Sequence, residues 1–249
     1  MRYFIEISYN GKKYHGWQIQ PNAITVQETL TNALTTILRK DISVVGAGRT
    51  DTGVHALQLM AHFDIDFAIN EREIVQNLNA YLPDDIVVTS IFLVTDNAHA
   101  RFDANSRSYE YRIWLGRNPF LLDTTYQIHR KQYDIKKMNE AAMVLLEYTN
   151  FKCFSKSKTD VKTYNCEITE AKWVLDNCEL TFYITADRFL RNMVRAIVGT
   201  LLDIGSGKKT KDEFINVIKS EDRRKAGLSV PPQGLFLSEV KYPNTIKKL

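Results

Sequence analysis

Cysteine is scarce in this chain: three thiols among 249 residues, Cys153, Cys166 and Cys178, with no C-x-x-C pair. An odd number without a secretory signal gives no disulfide framework to expect. The histidines His15, His55, His62, His99 and His129 are equally dispersed, and none falls in an H-x-x-x-H or similar ligand spacing. A metal site is therefore not expected. No apolar run approaches the roughly 20 residues of a membrane span. The opening MRYFIEISYN is interrupted by Arg2 and Glu6, unlike a signal-peptide core. A G-x-x-x-x-G-K-[ST] phosphate loop is also missing. These absences lead to the expectation of a cytoplasmic protein with no membrane partner, metal or nucleotide cofactor.

What is present suits a globular fold. Apolar residues make up 44% of the chain, enough for a sizeable core, and the length allows one large domain or two smaller ones. The formal net charge of +4 permits nucleic-acid binding without establishing it.

Hydrophobic periodicity sets out the elements. Residues 2–9 alternate as a strand, with Tyr3, Ile5, Ile7 and Tyr9 on one face. Thr25 and Glu28 have capping-box spacing ahead of a helical face made of Val26, Leu30, Ala33, Leu34, Ile37 and Leu38. Strands are predicted near 42–47 and 56–66, then a helix capped by Asn70, then a β-branched strand from Ile86 to Val94. The order is β-α-β-β-α-β. The second half echoes it with a strand at 108–115, a helix after Asp134, and a hairpin of 167–175 with 179–185 turning at Asp176-Asn177. A helix carrying Phe189, Met193, Ile197, Leu201 and Ile204 follows, then a short helix near 211–219 and a strand near 234–241. Both halves fit the split β-α-β plan.

The most unusual stretch runs from Val45 to Ala56 and contains Gly46, Gly48 and Gly53 around Arg49-Thr50-Asp51-Thr52. Three glycines so close suggest a tight loop between strands. Asp51 there has two readings. It can satisfy turn amides, as aspartate often does, or it can be a carboxylate held charged by a neighbouring cation for nucleophilic attack. Local composition does not separate them.

Gly48-Arg49-Thr50-Asp51-Thr52-Gly53-Val54-His55-Ala56 closely resembles the G-R-T-D-x-G-V-H-A signature of the TruA-type tRNA pseudouridine synthases. Four further segments are similar to motifs of that family, in the same order. They are Tyr14-His15-Gly16-Trp17-Gln18-x-Gln20 with Val26-Gln27, Phe102-Asp103-Ala104 with Arg107-Ser108-Tyr109-Glu110-Tyr111, Phe189-Leu190-x-x-Met193-Val194-Arg195-x-Ile197-Val198-Gly199, and Gly234-Leu235-Phe236-Leu237. The stretch Glu147–Phe151 and the polar segment Lys152–Lys162 depart from the family pattern and put RNA contacts there in doubt.

With the element order, the resemblance leads to the expectation of an α+β fold of two ferredoxin-like domains, 1–104 and 105–249, packed so that their antiparallel sheets form one extended sheet lining an RNA-binding cleft. It implies an isomerase that converts uridines 38, 39 and 40 of the tRNA anticodon stem-loop to pseudouridine, without cofactor, as a homodimer. It makes Asp51 the nucleophile, Tyr109 the ring that stacks on the target base and helps remove the C5 proton after C5–C1′ bonding, and Arg195 the cation beside the Asp51 carboxylate. Arg49 then holds the flipped nucleotide or fills its place, and Leu235 closes the other side of the base. From periodicity alone, Tyr109 and Leu235 read as core and Arg195 as a solvated helix residue.

Phosphate contacts are expected from Arg188, Arg191 and Arg195 on one helical face, and from Lys12-Lys13, Lys156-Lys158-Lys162 and Arg223-Arg224-Lys225. Two rivals stand beside this reading: a non-catalytic RNA-binding protein of ferredoxin-like fold, and a phosphohydrolase with an aspartate nucleophile. The second would want further carboxylates near the loop, which the local sequence lacks.

Overall fold

A computed structural model describes residues 1–129, 132–156 and 161–247. It is α+β, as expected, and divides into two compact units, Met1–Ser106 with Phe236–Leu249, and Arg107–Leu235.

The first unit follows the β-α-β-β-α-β order. Its elements are β1 (Arg2–Tyr9), α1 (Val26–Leu38), β2 (Val45–Gly46), β3 (His55–Asp64), α2 (Glu71–Tyr81) and β4 (Ile86–Val94). β1 is central, antiparallel to β3 on one side and β4 on the other. It is buried on both faces, since Phe4 is as deep as Tyr3, Ile5 and Ile7. Along the far edge of β3, β2 pairs with Ala61 and His62, while β9 (Leu235–Lys241) runs parallel to His55 and Ala56.

α1 starts where Thr25 accepts from the Glu28 amide, and it buries Val26, Leu30, Ala33, Leu34 and Leu38. α2 starts at Asn70 and is pinned to β4 by Asn79, whose amide bonds both the N–H and the carbonyl of Val88 at 2.8 Å.

The strand expected over 42–47 is shortened to Val45–Gly46. Gln27 Nε2 donates to the Val44 carbonyl at 2.7 Å, so a side chain satisfies that group instead of a strand ladder.

The second unit holds β5 (Ser106–Leu115), β6 (Tyr126–Ile128), β7 (Ile168–Asp176) and β8 (Glu179–Ala186), with α3 (Ile135–Val144), α4 (Met193–Gly205) and α5 (Lys211–Ser220). β8 lies antiparallel between β5 and β7, and β6 runs parallel to the end of β5. The predicted hairpin turns at Asn177, which takes a left-handed φ of 51°. α4 is the core helix, with every residue buried except Arg195 and Asp203.

α4 begins later than its periodicity suggests. Asn192 stands at its N-cap with φ 66°, so Phe189 and Arg191 precede the helix. Arg188 and Arg191 therefore do not share a helical face with Arg195. The backbone N–H of Arg188 is taken by the Asp187 carboxylate at 2.7 Å, in a turn that also binds the Glu167 amide. The short helix α5 carries a complete capping box between Thr210 and Glu213.

Candidate active site

Asp51 lies in the loop between β2 and β3, half-buried, while Arg49 is exposed and Thr50 is buried between them. The loop is held from beneath. The Tyr9 hydroxyl meets Thr50 Oγ1 at 2.8 Å, and the Trp17 amide donates to the Thr50 carbonyl. The Val54 amide closes a turn on the Asp51 carbonyl at 3.1 Å, and Gly53, at φ 76°, donates to the Tyr14 carbonyl. Tyr14 is itself anchored by its hydroxyl on Asp85 at 2.6 Å. Burial and this bond raise the Tyr14 pKa, so its hydroxyl stays a donor at neutral pH.

Three glycines make room for this arrangement. A Cβ on Gly46 would clash with the buried Trp17 ring, one on Gly11 would overlap the Val54 carbonyl, and one on Gly16 would strike Thr50. The motif Tyr14-His15-Gly16-Trp17 is thus the floor of the Asp51 loop. Past the loop, His55 accepts from the Gly11 amide through Nδ1 at 3.0 Å, and its ring stacks on Phe236 at 4.6 Å. The family resemblance singled out Gly16 and Trp17, and alternation put Tyr9 on a strand face, but neither gave these residues a role at the loop. Only a strand neighbour can show which hydroxyl reaches Thr50.

In the second unit Tyr109 is half-buried on β5, with its ring edge-on to Phe189 at 5.1 Å. Tyr111 and Ile113 on the same face are fully buried, so Tyr109 sits where that face opens. The Tyr111 hydroxyl donates to the Pro231 carbonyl at 2.8 Å. Arg195, in the first turn of α4, donates Nε to the Val230 carbonyl at 2.7 Å, and the Val230 amide returns a bond to the Arg195 carbonyl. Leu235, beyond this strap, is buried.

The strap from Gly227 to Gly234 is pinned closely. Ser229 Oγ accepts from Asn192 Nδ2 at 2.6 Å and from Arg223 Nη2 at 2.9 Å, and Arg223 also reaches the Gly227 carbonyl. The Leu228 carbonyl lies where a Cβ on Gly199 would be, 1.8 Å from it, and the Gly227 amide bonds Thr200 Oγ1. Gly199 of the α4 motif is therefore a contact point for the strap that orients Arg195.

Several of the other expected phosphate contacts are already committed within the chain. Arg223 serves the strap, and Arg224 forms an ion pair with Asp222 at 2.7 Å that holds the Asp222 carboxyl down to about 2. Lys13 pairs with Asp85 at 3.2 Å. Lys12 is exposed, and Lys158 lies outside the described residues. Cys153 and Cys166 are buried, which pushes both thiols up to about 12 and leaves them inert as nucleophiles. Among the described residues, no group of three or more His, Cys, Asp or Glu side chains could hold a metal ion, and no helix is long and apolar enough to cross a membrane.

Comparison with known proteins bears directly on these two clusters. A family model for tRNA pseudouridine synthase matches residues 6–103 and 141–243, covering both the Asp51 loop and the Arg195 helix. The tRNA pseudouridine synthase A of Bacteroides fragilis is 51% identical over 247 residues, covering 98% of each chain. That of Parabacteroides distasonis is 50% identical, covering 98% of this chain and 97% of the relative. The tRNA pseudouridine synthase A 2 of Clostridium perfringens is 38% identical over 96% of this chain and 98% of its own. Identity of this order extends across both units. The chain belongs to the tRNA pseudouridine synthase family.

Proposed function

We propose that this enzyme isomerises uridines 38, 39 and 40 of the tRNA anticodon stem-loop to pseudouridine. The N1–C1′ bond breaks, the freed uracil turns, and C5 bonds to C1′; C5 then loses its proton and N1 gains one. The product is an isomer, so atoms and electrons balance without a co-reactant. The observation that carries this reading is Asp51 itself, in a G-R-T-D loop held through the Thr50 side chain by Tyr9 and through its backbone by Tyr14 and Trp17, in a chain of this family. A fixed loop suits a nucleophile that must meet one atom of a flipped nucleotide.

In this reading Asp51 is the nucleophile and Arg195 the cation that pairs with its carboxylate. Tyr109 stacks on the target base and Leu235 closes its other side. Arg49, exposed at the loop tip, holds the flipped nucleotide or takes its place in the stack. The open position of Tyr109 on its strand face and the fixed Nε of Arg195 support these roles. The enzyme works in the cytoplasm as a homodimer.

The test is tritium release from tRNA labelled at uracil C5, with no added metal or nucleotide. The wild type releases tritium, while Asp51→Ala releases none and still binds tRNA. Release by Asp51→Ala at the wild-type rate would overturn the assignment.

A further inference from the structure

Phe102-Asp103-Ala104 is a family-like motif to which the reaction gives no role. In the structure its phenylalanine is held outward: Phe102 is 74% exposed, yet the turn that carries it is hydrogen-bonded at several points. His99 Nδ1 accepts from the amides of both Arg101 and Phe102, at 3.1 and 3.3 Å. Asp103 Oδ2 accepts from the His99 amide at 2.7 Å, and the Asp103 amide donates to the His99 carbonyl.

The turn is also tied to the sheet. The Ala100 amide donates to His62 Nδ1 on β3, the Ala100 carbonyl accepts from the Tyr242 hydroxyl, and Arg2 bonds the Ala98 carbonyl. On this base the Phe102 ring packs against the His99 ring, centres 4.2 Å apart, and the Arg101 guanidinium stands 5.8 Å from the Phe102 ring centre.

An exposed aromatic that is merely tolerated would not need a turn fixed at so many points. The His99 ring is tilted by 36° against it and the Arg101 guanidinium stands over it, yet the residue keeps most of its surface open. A flat apolar face beside a guanidinium offers stacking and a cation together, which is how unpaired bases and their phosphates are held.

We propose that the His99–Arg101–Phe102 turn is a stacking platform for an unpaired nucleobase of the RNA substrate. The proposal rests on the tRNA reading above and adds a contact that the chemistry itself does not use.

The test compares full-length wild type, Phe102→Ala and Phe102→Trp on unmodified tRNA transcript. Because the side chain is mostly exposed, Phe102→Ala should leave the thermal midpoint unchanged. It should weaken tRNA binding about tenfold, the loss of one stacked base, and raise KM while kcat holds. Phe102→Trp should restore affinity, and its fluorescence should be quenched by tRNA beyond the response of Trp17, Trp114 and Trp173 in the wild type.

Wild-type affinity in Phe102→Ala, or no added quenching in Phe102→Trp, overturns the platform. A smaller species for Phe102→Ala in sedimentation also overturns it, because the ring would then be a contact between copies of the chain. Tritium release by the wild type, measured in the same preparations, separates this failure from that of the enzymatic reading.

Discussion

A Cβ on Gly16 would stand 2.3 Å from the carbonyl oxygen of Thr50 and 3.1 Å from the carbonyl carbon of Asp51. Gly16 also has φ +88°, a conformation that costs a side-chain-bearing residue about 1–2 kcal/mol before any overlap is counted. The overlapping atoms are backbone, so no side chain can swing away. Gly16→Ala should therefore displace the Asp51 loop, lowering kcat at least tenfold and the thermal midpoint by several degrees. Tritium release and a thermal melt check both effects.

The Tyr9–Thr50 hydrogen bond tests the same loop without disturbing its backbone. Tyr9→Phe removes one hydroxyl and leaves Thr50 Oγ1 buried with that partner gone, at a cost of about 1–3 kcal/mol. kcat should fall while KM for tRNA stays within twofold, because the loss concerns loop position and not RNA affinity. Thr50→Val should have a similar effect. The double variant Tyr9→Phe/Thr50→Val should be no worse than the poorer single one, whereas additive losses would show that the two hydroxyls act separately.

Local sequence made the elements legible and left much of the site obscure. Tyr3, Ile5, Ile7 and Tyr9 mark β1 by alternation, and Thr25, Asn70 and Asp134 cap the helices they precede. The loop position of Asp51 followed from the glycines around it. Periodicity failed where a side chain from elsewhere replaced a ladder bond, as Gln27 does at Val44. It failed again where one left-handed residue, Asn192, reset the phase ahead of α4 although Phe189 fits the repeat. The Tyr9–Thr50 bond and the Ser229 hub join residues far apart in sequence, and no local pattern encodes such a register.

Ser229 is where the Arg195 strap can be loosened with least disturbance. Its hydroxyl accepts from Asn192 and Arg223, so Ser229→Ala leaves two donors without this acceptor. The expected result is a five- to twentyfold fall in kcat, about 1–2 kcal/mol, with the fold retained. Ser229→Thr keeps the hydroxyl and should recover most of the rate. Gly199→Ala is the severe counterpart, since its Cβ would overlap the Leu228 carbonyl, and it should yield little folded protein. A Ser229→Ala enzyme with an unchanged kcat would show that Val230 orients Arg195 without help from this hub.

His62 gives a pH dependence whose sign follows from its surroundings. It is buried beneath the Phe102 turn, and burial, then Arg2 and His99, lower its pKa from 6.5 to about 4 against the opposing pull of Asp64 and Asp103. Its Nδ1 accepts from the Ala100 amide, so the neutral ring carries its proton on Nε2, and the imidazolium would face that amide donor to donor. The unfolded chain then takes up a proton near pH 6.5 that the folded chain refuses until about pH 4. Stability from this group is complete above pH 6.5 and is lost as pH falls toward 4, by about 3 kcal/mol at most. His62→Gln keeps an acceptor for Ala100 but cannot titrate, so its denaturant midpoint should fall less than the wild type's between pH 7.5 and 5. Parallel declines in the two proteins would place the acid sensitivity elsewhere.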